Sequence, residues 1–224
     1  MSEQGDSGTS WPYYKQVLTY LTRCHRLANI GSGHHFVFED LVHEQFPGME
    51  IVSLDRGQPT TRPTSFSYTE LDIEDSASKS LVEHAAFDVV TIFEVLEHID
   101  QTDRCLELAH HMLKQDGLLI VASPNLASLY GRIELMLGFQ PHVLEVSNKK
   151  GPVGMGPFGK MNYAPSGEPI HHMRGITLSA LKQLIELNAF AIQETFGYMS
   201  GVPFWPKRSF SGLASSVLVI AQPI

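Results

Sequence analysis

The sequence has few cysteines and no long apolar run. Its two cysteines, Cys24 and Cys105, are far apart and form no CxxC motif, so neither a disulfide framework nor a zinc cluster is expected. No apolar stretch approaches the roughly 20 residues that span a bilayer. The first residues, MSEQGDSGTSWPYYKQ, show no basic segment followed by an apolar one. We therefore expect a cytoplasmic protein without a membrane partner.

Basic residues are also scarce. Lysine and arginine number 16 against 24 aspartate and glutamate residues, which gives a net charge of −8. Because phosphate backbones are bound mainly through lysine and arginine, this balance argues against duplex nucleic acid as a partner. The apolar content of 43% is enough for one substantial core. We predict a single domain over residues 1–224, with a mobile polar tail over residues 1–12.

Strand and helix patterns alternate along the first 125 residues. Apolar runs predict strands in HRLANIGSG, EIVSLD, FSYTELDI, FDVVTIF and GLLIVASPN. Helical spacing is found in YYKQVLTYLTRC, FVFEDLVHEQF, TDRCLELAHHML and the region of SASKSLVEHAA. This alternation predicts an α/β fold, with a mostly parallel sheet covered by helices on both faces.

The remainder of the chain predicts an insertion followed by a helix and two strands. Residues 126–175 include a helical stretch, LASLYGRIELML, but are otherwise rich in glycine and proline, as expected for a functional lid or a mobile insertion. Thr177 is the predicted N-cap of a helix over TLSALKQLIELNAF, and AIQETFGYM and SSVLVIAQ are predicted to pair antiparallel. The polar candidates in the insertion are Tyr130, Arg132, His142, His171, His172 and Arg174.

A glycine turn follows the first predicted strand. In NIGSGHH, Gly31 and Gly33 would let a ligand approach the backbone, although a GxG motif alone also fits an ordinary tight turn. Asp55 ends the second strand, 22 residues after Gly33, where an acid can accept the hydroxyl hydrogens of a ribose. A nicotinamide dehydrogenase and an S-adenosylmethionine enzyme both fit. Phe36 at the third position of GxGxxG counts against the dehydrogenase.

Five motifs resemble one family in their order. NIGSG, IVSLD, ELDIED, FDVVTIFEVLEHI and LKQDGLLIVASPN resemble those of class I S-adenosylmethionine-dependent methyltransferases, over about residues 25–125. The chain is most similar to the branch with ubiquinone-pathway O-methyltransferases and methyltransferases of sugar or polysaccharide biosynthesis. PNLASLYGRIELMLGFQPH and HHMR resemble the latter. The resemblance implies a Rossmann-like sheet of seven strands with the last strand antiparallel. It also implies methyl transfer to a hydroxyl of a sugar, polysaccharide precursor or other small molecule.

The resemblance also implies roles for particular residues. Gly31 and Gly33 would lie beneath the methionine part of the cofactor, Asp55 would hold the ribose, and Asp72 and Ile73 would flank the adenine. The backbone of Phe93 and Glu94 would face the cofactor's amino group. The family usually has an acid where Asn29 stands and a third glycine where His35 stands. The predicted cofactor-binding residues are Asn29, Gly31, Ser32, Gly33, Asp55, Arg56, Asp72, Ile73, Phe93 and Glu94.

Two carboxylates and a histidine follow the fourth strand. Glu94, Glu97 and His98 are predicted to begin the next helix and to border the cleft rather than the core. Acids stabilise a helix N-terminus, which could be their whole role. His98 could also remove a proton from a hydroxyl, since an unperturbed imidazole has a pKa near 6.5. The predicted catalytic candidates are His98, His171 and His172.

Two alternatives remain open for the function. The ExxEH motif with a distant histidine also resembles the divalent-metal site of small-RNA 2′-O-methyltransferases, with His171 or His172 as the last ligand. The same motif is widespread in metal-free relatives, so we predict no metal. The departures at Asn29 and His35 also fit a degenerate, non-catalytic scaffold that binds the cofactor.

Overall fold

The computed structural model describes residues 11–59, 63–160, 167–199 and 208–224. A seven-stranded sheet has the order β3-β2-β1-β4-β5-β7-β6. Strands β1 to β5 pair in parallel, and β7 is antiparallel to both of its neighbours. This confirms the predicted fold. The strands are β1 (Arg26–Ile30), β2 (Glu50–Asp55), β3 (Ser67–Glu70), β4 (Phe87–Phe93), β5 (Leu113–Pro124), β6 (Phe190–Tyr198) and β7 (Ser216–Pro223).

Helices cover both faces of the sheet, as predicted. One face packs against α3 and α5, and the other packs against α1 and α2. In β1, Ala28 and Ile30 face the first of these cores while Leu27 faces the second, which is the alternation expected of a strand buried on both sides. The helices are α1 (Tyr14–Leu18), α2 (Val37–Gln45), α3 (Thr102–Met112), α4 (Leu129–Met136) and α5 (Leu178–Leu187), and 3₁₀ turns cover Ser78–Leu81, Gly156–Lys160 and Arg208–Leu213.

Three helix predictions are wrong in extent or position. The segment YYKQVLTYLTRC is helical only over Tyr14–Leu18. The region of SASKSLVEHAA forms only the four-residue 3₁₀ turn Ser78–Leu81. Residues 94–101 form a loop, and α3 begins at Thr102. Glu94 has φ +54°, a left-handed conformation that cannot continue into a helix. The backbone N–H groups of Asp100 and Gln101 instead donate to Oε1 of Glu74, 2.8 Å away in both cases.

The predicted insertion leaves and rejoins the fold at one point. The Leu126 N–H donates to the Ile176 carbonyl at 2.9 Å. Asn125 is fully buried; its amide donates to the carbonyls of Gly212 and Ala214, and its Oδ1 accepts from the N–H of Ala127. Residues 161–166 of the insertion and 1–10 of the predicted tail lie outside the described residues. In the part of the chain that is described, no helix is long and apolar enough to cross a bilayer.

Candidate active site

Two cavities lie beside the glycine turn, at the carboxyl edge where β1 and β4 are neighbours. The larger, of about 260 Å³ and here called the main cavity, is lined by Asp55, Asp72, Glu94 and His98 among others. The smaller, of about 180 Å³, is the aromatic cavity, with Trp11, Tyr14 and Phe93 in its wall. Both cavities are lined by Gly31 and Gly33, so the turn separates two adjoining spaces. This is the edge at which open α/β sheets bind ligands.

The glycine turn is held by the neighbouring strand. Gly31 and Gly33 have φ values of +77° and +68°, which glycine adopts readily. The Gly31 N–H donates to the Leu54 carbonyl at 2.7 Å, and the Gly33 N–H donates to Oδ2 of Asp55 at 2.8 Å. Oδ1 of Asp55 accepts from the Gly57 N–H at 3.3 Å. Asp55 thus stabilises the turn while its half-buried carboxylate lines the main cavity.

The predicted adenine end lies along the same cavity. Ile73 is buried and offers an apolar wall, whereas Asp72 is exposed and its Oδ1 accepts from the Glu74 N–H at 3.0 Å. Arg56, also exposed, lines the cavity next to Asp55. Strands β1, β2, β3 and β4 therefore bring this half of the predicted cofactor set together.

Asn29, Ser32 and Phe93 line the aromatic cavity instead. Asn29 is buried, its Oδ1 accepts from the Thr91 hydroxyl at 2.8 Å, and its amide donates to Oε1 of Glu39 at 2.7 Å. Phe93 is in ring contact with Phe38, at a centroid distance of 4.9 Å. Both ends of the Asn29 amide are bonded inside the protein, and its predicted part in cofactor binding stays a prediction.

Glu94 and Glu97, here called the carboxylate pair, lie at the end of β4. Glu97 is only 2% exposed, so the expectation that it borders the cleft is wrong. Its Oε2 accepts from the Ser123 hydroxyl at 3.3 Å, and Glu94 accepts from the hydroxyl of the buried Tyr13 at 3.1 Å. Burial raises the pKa of Glu94 to about 7, and burial together with the charge of Glu94 raises the pKa of Glu97 well above its usual range. The pair therefore holds a proton near neutral pH.

The Glu94 N–H is used within the sheet, while the predicted contact of the Phe93 and Glu94 backbone with the cofactor's amino group stays a prediction. This N–H donates to the Ala122 carbonyl at 3.0 Å in the adjacent strand. What Glu94 presents to the main cavity is its partly buried side chain.

His98, which follows β4, and His172, which belongs to the insertion, are in ring contact and are here called the histidine pair. Their ring centroids lie 4.7 Å apart. Nδ1 of His98 is 3.1 Å from the His171 carbonyl, and Nδ1 of His172 is 2.9 Å from the Val143 carbonyl. Because a carbonyl only accepts, each Nδ1 carries the hydrogen and each Nε2 keeps its lone pair. Burial lowers the pKa of both rings, which favours the neutral form.

The other insertion candidates do different things. The His171 ring is exposed, and this residue contacts His98 through its backbone carbonyl. His142 is 3% exposed and bonded through Nδ1 to the buried Glu134 at 2.7 Å, so it supports the insertion rather than the cavity. Arg174 donates to the Asp100 carbonyl at 3.1 Å. Tyr130 lies beside His142, with ring centroids 6.5 Å apart, and the exposed Arg132 donates to the Ala127 carbonyl.

Sequence reasoning missed the wall of the aromatic cavity. Trp11 falls within the predicted tail, yet its ring stacks on Tyr13 at 5.9 Å. Glu39 falls within a predicted helix and did not stand out as a site residue, although it is 1% exposed. The available signal was its spacing, since Glu39 shares the buried helix face with Val42 at i+3. An acid on the core side of a helix needs a partner or a ligand.

Comparisons with known proteins identify relatives of this fold. A family model described as a methyltransferase domain matches residues 14–194. An S-adenosylmethionine-dependent methyltransferase structure from Thermotoga maritima is 16% identical, with a TM-score of 0.61 over 93% of this chain and 86% of that one. One from Archaeoglobus fulgidus is 18% identical, with a TM-score of 0.60 over 93% and 90%. One from Mesorhizobium loti is 14% identical, with a TM-score of 0.59 over 97% and 100%. No curated protein sequence matches.

Proposed function

This chain belongs to the methyltransferase-domain family and is an S-adenosylmethionine-dependent methyltransferase, and on that basis we propose that it methylates a hydroxyl of a small molecule. A sugar or polysaccharide precursor is the favoured acceptor class. The histidine pair carries this proposal. A hydroxyl must lose its proton as its oxygen is methylated, and two neutral imidazoles with open Nε2 atoms suit that task.

The main cavity and the glycine turn provide the proposed cofactor site. Asp55 would hold the ribose hydroxyls, and Asp72 and Ile73 would flank the adenine. Gly33 lets a ligand approach the backbone, since a Cβ there would meet no atom of the described chain within 4 Å, whereas the space beside Gly31 is taken by Val95. When bound, S-adenosylmethionine supplies an electrophilic methyl group on a sulfonium.

The chain's own residues would align the acceptor and move one proton. His98 lines the main cavity, and His172, which belongs to the insertion, is in ring contact with His98. As the acceptor oxygen bonds to the methyl carbon and the carbon–sulfur bond breaks, Nε2 of one imidazole would take the hydroxyl proton. Holding the reactants close in a water-poor cavity supplies most of the remaining acceleration.

The test combines an acceptor screen with single histidine variants. Methyl-labelled S-adenosylmethionine is offered with sugars, phenols, amines and short RNA, and the labelled product is identified. His98→Ala or His172→Ala should lower kcat by roughly 10²- to 10⁴-fold and remove an ionisation from the pH–rate profile. His171→Ala is the matched control, because it keeps the carbonyl that bonds His98.

Three outcomes contradict this proposal. Turnover within about threefold of wild type in both ring variants, far short of a general-base contribution, would exclude histidine catalysis. Methylation of amines only would move the function to N-methylation. Binding of the cofactor without transfer to any acceptor class would favour the non-catalytic scaffold.

A metal-dependent RNA 2′-O-methyltransferase is the second candidate, and one observation favours it. A carboxylate oxygen of Glu97 and ring nitrogens of His98 and His172 all lie within 4.8 Å of one another. These groups suit a divalent cation, because both rings keep an Nε2 lone pair. In the described residues, Oε1 of Glu97 has no hydrogen-bond partner apart from a proton that it can share with Glu94. When bound, such an ion would polarise the acceptor hydroxyl.

The same screen separates the two candidates. For small-molecule O-methylation we expect EDTA to leave the rate unchanged. Loss of transfer in EDTA, recovery with magnesium or manganese, and RNA ends as the methylated acceptor would establish the second function instead.

A further inference from the structure

Glu39 is a buried acid with one unsatisfied oxygen. It lies on α2, is 1% exposed, and its Oε1 accepts from the Asn29 amide at 2.7 Å and from the Ser53 hydroxyl at 2.8 Å. Its Oε2 has no hydrogen-bond partner among the residues described. An acceptor left in this state is destabilising, and more so when it is charged, because it has lost its bonds to water without gaining a partner. The two bonds on Oε1 fix the carboxylate, so Oε2 is held in one place.

The unsatisfied oxygen belongs to the aromatic cavity. Glu39 lines that cavity together with Ser32, whose Oγ is also buried without a partner in the described part of the chain. The remaining wall is largely aromatic, from Trp11, Tyr14 and Phe93. A carboxylate combined with aromatic faces in a small cavity is suited to a cationic group that also carries hydrogen-bond donors.

The acid beside the glycine turn is on α2, although the resemblance described above predicts one at the end of β1. At that position this chain has the neutral Asn29. The Asn29 amide donates to Oε1 of Glu39, so the carboxyl group beside the glycine turn comes from α2 instead of β1.

We propose that Glu39 binds the α-ammonium group of the methionine part of S-adenosylmethionine, with the Ser32 hydroxyl bonding to the same amino-acid end. The proposal rests on the proposed cofactor site: the nucleoside lies in the main cavity and the methionine passes the glycine turn into the aromatic cavity. The turn is the wall shared by both cavities, which permits this path. Glu39 is then a cofactor-binding residue that the EVLEH and GxG motifs do not reveal.

Two ligands separate the amino-acid end from the nucleoside. S-adenosylhomocysteine carries the α-ammonium, whereas 5′-methylthioadenosine has the same nucleoside and thioether without any amino acid. Glu39→Gln keeps an Oε1 for Asn29 and Ser53 and loses only the charge. By calorimetry, this variant should bind S-adenosylhomocysteine roughly 10- to 100-fold more weakly. Its affinity for 5′-methylthioadenosine should stay within about threefold, because no charged bond is lost.

Two further variants make the result specific. Asp55→Asn should weaken both ligands alike, since it acts on the ribose. The double variant Asn29→Asp/Glu39→Gln returns the acid to β1 and should recover most of the lost S-adenosylhomocysteine affinity. Equal losses of affinity for both ligands in Glu39→Gln would mean that Glu39 has a structural role. No loss for either ligand would exclude contact between Glu39 and the cofactor. Either result overturns this inference and leaves the proposed cofactor site standing. If wild type binds neither ligand, the proposed cofactor site itself fails.

Discussion

At the scale of single residues, Gly31 and Gly33 share a left-handed backbone but differ in their surroundings. A Cβ at Gly31 would lie 2.2 Å from Cγ2 of Val95, whereas a Cβ at Gly33 would meet no atom within 4 Å. Gly33→Ala should therefore cost only the left-handed strain, about 1–2 kcal/mol of unfolding free energy. Gly31→Ala adds overpacking, which costs about 1–3 kcal/mol more. Urea unfolding of both variants measures the difference, and equal losses would contradict the close approach of Val95 to Gly31.

The same scale shows which site residues could be read from the sequence. Asp55 was found because a position at the end of a strand is fixed by spacing along the chain, and its carboxylate does line the main cavity. Glu39 was not found, because its importance depends on Asn29 and Ser53, which belong to two different strands. Spacing locates a residue within its own element. It does not show which side chains from other elements will surround it.

At the scale of elements, α5 depends on one cap. The Thr177 hydroxyl accepts from the Ala180 N–H at 3.2 Å, as the sequence predicts, and Leu181 and Ile185 bury the helix against the sheet. Thr177→Ala should lower the unfolding free energy by about 1 kcal/mol, since it leaves a first-turn N–H without its partner. Ser179→Ala, at an exposed position two residues on, is the control and should change it little. A loss in the control as large as in Thr177→Ala would exclude a capping effect.

Elements were predictable where the pattern was long and local. The β4 and β7 runs are apolar over most of their length and buried, so their assignment needed no knowledge of the fold. The loop over residues 94–101 was not predictable, since its left-handed Glu94 and its bonds to Glu74 depend on a distant loop. Helical spacing of Glu94, Glu97 and His98 was present in the sequence, but tertiary contacts decided the backbone.

At the scale of the whole molecule, the insertion joins two distant parts of the chain. The Met173 N–H donates to the Glu97 carbonyl at 2.8 Å, and this bond holds His172 close to His98. The histidine pair therefore exists only when the insertion is folded onto the end of β4. A site assembled in this way couples the stability of the fold to the groups proposed to act in catalysis.

The carboxylate pair makes the stability of the folded protein depend on pH. The folded-state pKa of Glu94 is about 7 against an ordinary 4.5, and that of Glu97 is also raised, so the folded protein keeps protons that the unfolded chain releases. The pair's contribution to stability is complete below pH 4.5 and is lost as pH rises through about 7 and beyond.

We expect the double variant Glu94→Gln/Glu97→Gln to lose this pH dependence, because both replacement side chains are neutral at every pH. Its unfolding free energy, measured by urea at pH 5, 6, 7 and 8 with EDTA present, should fall less steeply with pH than that of wild type. Glu44→Gln, at an exposed position, should keep the wild-type slope. Parallel curves for wild type and the double variant would show that the pair releases its protons at the same pH whether the chain is folded or not.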